Sequence, residues 1–241
     1  MKPVIGIMPL FDSKTNSIWM HQGYLKAIEN TGGIPMIIPH TTDEELLKGT
    51  DQLIDAYLFT GGNDISNVTL DQNNIVLGNV NEIRDKMESF LYDLAKSQNK
   101  PLLGIGRGIE VINTLEGGAS FDDFLLGHPS AEAHTQKNPL NNPSHEVILL
   151  YESPLHKLLG TERIEVNSYH DQAIKKMAPN LRIMAMALDD IVEGIYDKKR
   201  LFLWGIQWHP EYALEWKSSK KIFEKFLEMA EIWHNEYSSS K

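Results

Sequence analysis

The chain has 241 residues, enough for one large α/β domain or two small ones, and its 41 % hydrophobic and 23 % charged residues are ordinary for a globular protein. A formal charge of −10 argues against a nucleic-acid or anionic-membrane partner, because such surfaces are held by clustered Lys and Arg. With no cysteine present, disulfides, thiolate metal sites and a Cys nucleophile are excluded.

Strand and helix signals alternate along the first half, the pattern of parallel strands joined by crossover helices. PVIGIM (3–8) and IPMIIP (34–39) read as buried strands, separated by a helix from about Ile18 to Asn30 that stops at Gly32 and Gly33. Thr41 with Glu44 three residues on forms a capping box for a short helix through Leu47. AYLFT (56–60) is a third strand ending in the Gly61-Gly62 turn, and NEIRDKMESFLYDLAKSQ is a long helix with Ile83, Met87, Phe90, Leu91 and Leu94 on one face. It leads into the strand PLLGI and a turn at Gly106.

From about Ser120 to Pro143 the chain turns to Pro, Asn, His and Ser, an irregular surface segment or lid. Strands are predicted at HEVILL, RIEVNS, RIMAMAL, DIVEGIYD and LFLWGIQW, with Lys198, Lys199 and Arg200 in a turn between the last two. A closing helix over Ser218 to about Ile232 precedes a tail that frays from about residue 233. No repeat or linker divides the chain, so residues 1–241 are read as one domain. The N-terminal apolar run is too short for a signal peptide and no segment approaches membrane-spanning length, so a cytoplasmic location is expected.

Three stretches carry candidate chemistry. GIGRG lacks the last glycine of a dinucleotide fingerprint, since Ile109 stands there, but its strand-turn-helix form is that of a nucleophile elbow with Gly106 at the apex. A glycine there also has a bland reading, as a plain turn residue. GIQWHPE delivers His209 from a strand with Glu211 two residues on; a carboxylate beside an imidazole fixes its tautomer and stabilises its charged form, although H-x-E is common. VNSYHDQAI concentrates Asn167, Ser168, His170 and Gln172 at a strand exit, where side chains contact a ligand or satisfy a turn. No third ligand at a recognisable spacing appears among the nine histidines, so neither a metal site nor a cofactor is expected.

Taken in order, KPVIGI, FTGGNDI, IRDKMESFLYDLA, KPLLGIGRGIEVIN, VNSYHDQAI and GIQWHPE resemble the class I glutamine amidotransferase-like superfamily, within it the γ-glutamyl-γ-aminobutyrate hydrolase (peptidase C26-like) group, from about Lys2 to Met229. The resemblance implies a flavodoxin-like α/β fold of the glutamine amidotransferase type, a single domain with a central, mostly parallel sheet flanked by helices. It implies hydrolysis of γ-glutamyl C–N bonds through a cysteine thioester. Gly106 matches the lost nucleophile position, His209 the general base and Glu211 its orienting acid. The backbone N–H groups of Gly61, Gly62 and Arg107 match the oxyanion hole, while Ser168, Tyr169 and His170 match the substrate pocket.

The chain departs from that pattern at Gly106, at Glu110 where the family usually has glutamine, and in GGNDISN, which lacks the third glycine and the acidic-proline pattern. Changes at several positions together read as natural divergence. Glu110 falls one turn into the helix, where a carboxylate holds an amino group more readily than it activates water. The expectation is a pseudoenzyme of this hydrolase family that binds a small γ-glutamyl or amino-acid-like ligand, or a protein partner, with a homodimer left open. The alternative is an amidohydrolase that cleaves γ-glutamyl amides by water attack with His209 and Glu110. Specificity is assigned to the loops around residues 63–80 and 120–143.

Overall fold

The computed structural model describes residues 2–12, 15–62, 81–121 and 132–237. Strand β1 (Val4–Ile7) sends fully buried Ile5 and Ile7 to one side of a sheet, and the same two-residue period splits the neighbouring strands. In β5 (Ala56–Phe59), Ala56 and Leu58 share a core with Ile5 and Ile7, whereas Tyr57 and Phe59 face the other way. The two apolar layers this creates need helices on both faces.

The chain supplies them in order. A hairpin of β2 (Leu10–Asp12) and β3 (Ser17–Trp19) precedes α1 (Gln22–Thr31), β4 (Ile34–Ile37), α2 (Glu44–Asp51), β5, α3 (Glu82–Ser97), β6 (Leu102–Ile105) and α4 (Arg107–Leu115). Then come β7 (Ala119–Phe121), β8 (His145–Leu149), α5 (Pro154–Leu159), β9 (Arg163–Val166), β10 (Ala173–Lys176), β11 (Arg182–Ala187), β12 (Val192–Tyr196) and β13 (Leu203–Ile206). A single 3-10 turn (Pro210–Tyr212) and α6 (Lys217–Tyr237) close the chain. Helices α1, α5 and α6 contribute to the first core, and α2, α3 and α4 to the second.

Among the described residues nine strands form one sheet in the order β4-β1-β5-β6-β13-β12-β11-β8-β9. The α/β fold expected from the sequence is present, and its sheet is mixed: β4, β1, β5, β6 and β13 run parallel, and the ladders from β13 to β9 are antiparallel. The parallel half matters for function, because its strands all end at one edge, where open α/β sheets place their ligand sites. No helix among the described residues is long and apolar enough to cross a membrane.

Several expected elements are corrected. Helix α1 begins at Gln22, since Ser17–Trp19 is a strand, and it ends as expected at Gly32, whose φ of 101° lets its N–H reach Ile28 and Glu29 carbonyls. Helix α2 is capped by Asp43, which accepts from the Glu45 and Leu46 N–H groups, and runs on to Asp51; Thr41 Oγ1 instead accepts from Asp43 N–H. Strand β4 is an edge strand, with Ile34 and Ile37 exposed. Ile83 of α3 is exposed, and that helix buries Arg84 and Glu88 among Met87, Leu91, Tyr92 and Ala95.

Helix α6 does not fray at residue 233. Trp233 is buried and donates its ring N–H to Gln98 O at 2.9 Å, and His234 Nδ1 pairs with Asp55 at 2.9 Å. Residues 63–80 and part of the irregular stretch, 122–131, lie outside the described residues, as does the departure from the family pattern at Asn63.

Candidate functional site

Three parallel strands deliver the candidate residues to one edge: β5 runs into Gly61-Gly62, β6 into Gly106 and β13 into His209. Gly106 is the N-cap of α4, with φ 54° and ψ −121°, a backbone state that strains any residue carrying a Cβ. Its N–H donates to Ile206 O at 2.9 Å, which holds the turn against β13. The in-register pair Ile105 and Ile206 therefore brings Gly106 under His209. A Cβ at position 106 would stand 2.8 Å from His209 Cε1 and 3.2 Å from Nε2.

His209 is buried, and its Nδ1 lies 2.8 Å from Glu211 Oε1. Burial alone would lower the imidazole pKa, but the Glu211 carboxylate outweighs it and the net shift is upward. Asn167 clamps the backbone here, accepting from His209 N–H at 2.9 Å and donating to His209 O at 2.8 Å. The ring is thus fixed from both ends.

The cleft above these residues has a volume of about 640 Å³ and is lined by Gly61, Gly62, Gly106, Arg107, His209 and Glu211, together with Glu110, Tyr169 and His170. Glu110 is buried on α4, and its Oε1 accepts from Gln207 Nε2 at 3.3 Å. Tyr169 is 57 % exposed at the rim. Ser168, expected in the pocket, is not part of the lining. Its hydroxyl donates to His134 O at 2.9 Å and its N–H to Gln136 Oε1, so it ties two loop segments together.

The expected oxyanion donors also need correction. Gly61 N–H donates to the Tyr24 hydroxyl at 3.0 Å and is already committed, which leaves the backbone of Gly62 and Arg107 at the cleft. The Arg107 side chain is buried in ion pairs with Asp85 and Glu88.

Sequence reading missed four residues. Tyr24, whose hydroxyl pKa burial and then the Glu211 charge push well up, looks in sequence like any aromatic on a helical face. His21 caps α1 through Gly23 N–H and packs on Tyr212 with ring centroids 4.2 Å apart. Gln207 fixes Glu110. Arg84 donates to the carbonyls of Thr60 and Gly61 and to Glu88, so α3 fixes the shape of the glycine turn. Arg84 and Glu88 lie inside the motif IRDKMESFLYDLA, but an Arg and a Glu four apart on a helix ordinarily form a solvated pair, so nothing local marked them as buried.

A mixed sheet whose parallel strand ends deliver a glycine turn, a nucleophile elbow and a histidine-carboxylate pair defines the class I glutamine amidotransferase type of architecture. A structure from Thermoplasma acidophilum, described as a "putative gmp synthase subunit a protein", shares this fold with a TM-score of 0.66 at 17 % identity, over 98 % of this chain and 97 % of that one. The sequence profile of the peptidase C26 family matches residues 3–211, and the chain belongs to that family. It is 33 % identical to Protein NtpR of Enterococcus hirae, over 86 % of this chain and 87 % of that protein. It is 29 % identical to gamma-glutamyl-gamma-aminobutyrate hydrolase PuuD of Escherichia coli, over 93 % and 92 %.

Proposed function

We propose that this chain binds a small γ-glutamyl or amino-acid-like ligand in the cleft and does not process it through a covalent intermediate. The observation that carries this reading is the elbow at Gly106, which has the backbone of a nucleophile turn, no side chain, and the His209 ring 2.8 Å from where a Cβ would stand. A thioester requires sulfur, and the chain contains no cysteine. The similarity to a γ-glutamyl-γ-aminobutyrate hydrolase supports the ligand class.

The cleft is of small-molecule size. In this reading Glu110 receives the α-ammonium group of the ligand, while the backbone N–H groups of Gly62 and Arg107 point to its γ-carbonyl oxygen. His209, oriented by Glu211, faces the ligand as a hydrogen-bond donor; the Glu211 carboxylate outweighs burial, raises its pKa and stabilises the imidazolium. Tyr169 and His170 supply the wall. The charge of −10 sets the reading against nucleic acid and anionic membrane.

Calorimetric titration with glutamine and γ-glutamyl-GABA tests it. Binding that weakens at least tenfold in Glu110→Ala, with no glutamate released, is the expected result. No binding of any γ-glutamyl compound would overturn the ligand assignment, and glutamate release lost in His209→Ala would overturn the non-catalytic one.

A further inference from the structure

The cleft lining is rich in carboxylates, from Asp12, Glu110, Asp171 and Glu211, against the cations Arg107 and His209. Neither cation offsets the excess. Arg107 already sits between Asp85 and Glu88, and His209 is held by Glu211 at 2.8 Å. His21 also lines the cleft, but burial lowers its pKa and the Glu211 carboxylate offsets this only in part, which favours the neutral ring. Among the described residues no lysine lines the cleft.

At the floor, Glu110 is buried, and since a carboxylate only accepts, Gln207 turns its Nε2 towards it at 3.3 Å and its Oε1 away. Gln207 is fully buried in the cleft lining, and that Oε1 makes no hydrogen bond within the protein. A buried carbonyl oxygen calls for a donor. The α-ammonium of a γ-glutamyl group has three N–H bonds, enough for Glu110 and Gln207 together.

At the mouth, Asp171 is exposed, and Trp19 and Tyr169 are 51 % and 57 % exposed. Asp12, whose carboxylate accepts from the Thr15 hydroxyl at 2.7 Å, stands on the same hairpin as Trp19. Carboxylates among exposed aromatic rings suit an ammonium group, which the charge and the ring faces both attract. The wall that carries Tyr169 and Asp171 is fixed from behind. His170 Nε2, between them in sequence, lies 3.1 Å from His134 Nδ1, and its N–H donates to His134 O at 2.9 Å. Fully buried Glu193 of β12 completes a His-Glu cluster, its Oε1 3.3 Å from His134, 3.3 Å from His145 and 3.4 Å from His170. The mouth therefore keeps its shape before a ligand arrives.

We propose that the ligand is a γ-glutamyl amide of a diamine. This rests on the γ-glutamyl reading above and names the pendant group. The α-ammonium meets Glu110 and Gln207 Oε1, and the free ammonium of the pendant chain lies at the mouth, among Asp12, Asp171 and the rings of Trp19 and Tyr169. A pendant that ends in a carboxylate, as in γ-glutamyl-GABA, brings one more negative group to a lining already rich in them. The γ-glutamyl half is the same in either case, so the pendant decides.

The test is calorimetry of the full wild-type chain with γ-glutamyl-1,4-diaminobutane, γ-glutamyl-n-butylamine and γ-glutamyl-GABA, whose pendants are cationic, neutral and anionic. Affinity is expected to fall in that order, with the first about tenfold tighter than the last at low salt. The gap should narrow as salt is raised, and also in Asp12→Asn and Asp171→Asn. Equal affinities, or a preference for γ-glutamyl-GABA, would overturn the diamine assignment and leave the γ-glutamyl reading standing. A gap unchanged in both variants would overturn the place given to the second ammonium, and no binding of any of the three would overturn both readings.

Discussion

Gly106 combines two effects usually separated in an elbow: it removes the reactive side chain and relieves the backbone. Any Cβ there meets both the strain of φ 54° and the His209 ring at 2.8 Å. Gly106→Ala is therefore expected to lower stability by about 1–3 kcal/mol in urea unfolding, and an unchanged midpoint would show that the turn is relaxed. His209 carries a second prediction at the same scale. Its folded-state pKa is raised above the unfolded value, so the imidazolium-Glu211 pair stabilises fully below the ordinary histidine value of about 6.5 and fades as pH rises through the folded value. Unfolding of wild type and His209→Gln across that range should give a stability difference that shrinks as pH increases; a difference that grows would contradict the assignment. Gly106, His209 and Glu211 were legible in the sequence because each lies directly at the end of an apolar strand. Tyr24 was not, since it bonds Gly61 N–H from 37 residues away and nothing local distinguishes it from a core aromatic.

Among the elements, α3 departs most from its sequence pattern. Its buried face carries Arg84 and Glu88, and with Arg107 of α4 these form a desolvated charge network under the glycine turn and the elbow. Removing one member leaves a guanidinium buried without its counter-charge, so Glu88→Gln is expected to cost about 3–5 kcal/mol by denaturant unfolding. A loss below about 1 kcal/mol, the worth of an exposed pair, would mean that the network is solvated. Helix α6 is similar in kind. Polar residues after Trp233 suggested fraying, but the indole is buried and bonded to Gln98 O, so Trp233→Ala should cost about 3–5 kcal/mol. Helix α5 had a signal that went unread: Ser153 caps it, Pro154 opens it and Gly160, at φ 71°, stops it. The parallel strands were legible because burial on both faces makes them continuous apolar runs, whereas edge strand β4 has the same composition without the burial.

At the scale of the molecule, the parallel half of the sheet supplies the cleft and the antiparallel half supplies the His-Glu cluster behind it. The cleft and the cluster form because the strand order brings distant segments together: β6 lies beside β13, and β8 lies one strand from β12. The first was visible in the sequence as ordered family motifs, and the second was not, because its residues fall at no recurring spacing. A γ-glutamyl ligand that binds only the folded cleft must raise the melting temperature as its concentration exceeds its dissociation constant. The most direct measurement of the central claim is glutamate release from γ-glutamyl-GABA by the purified wild-type chain at high protein concentration, beside His209→Ala. The account predicts release at the buffer rate for both; release by the wild type that disappears in the variant would contradict it.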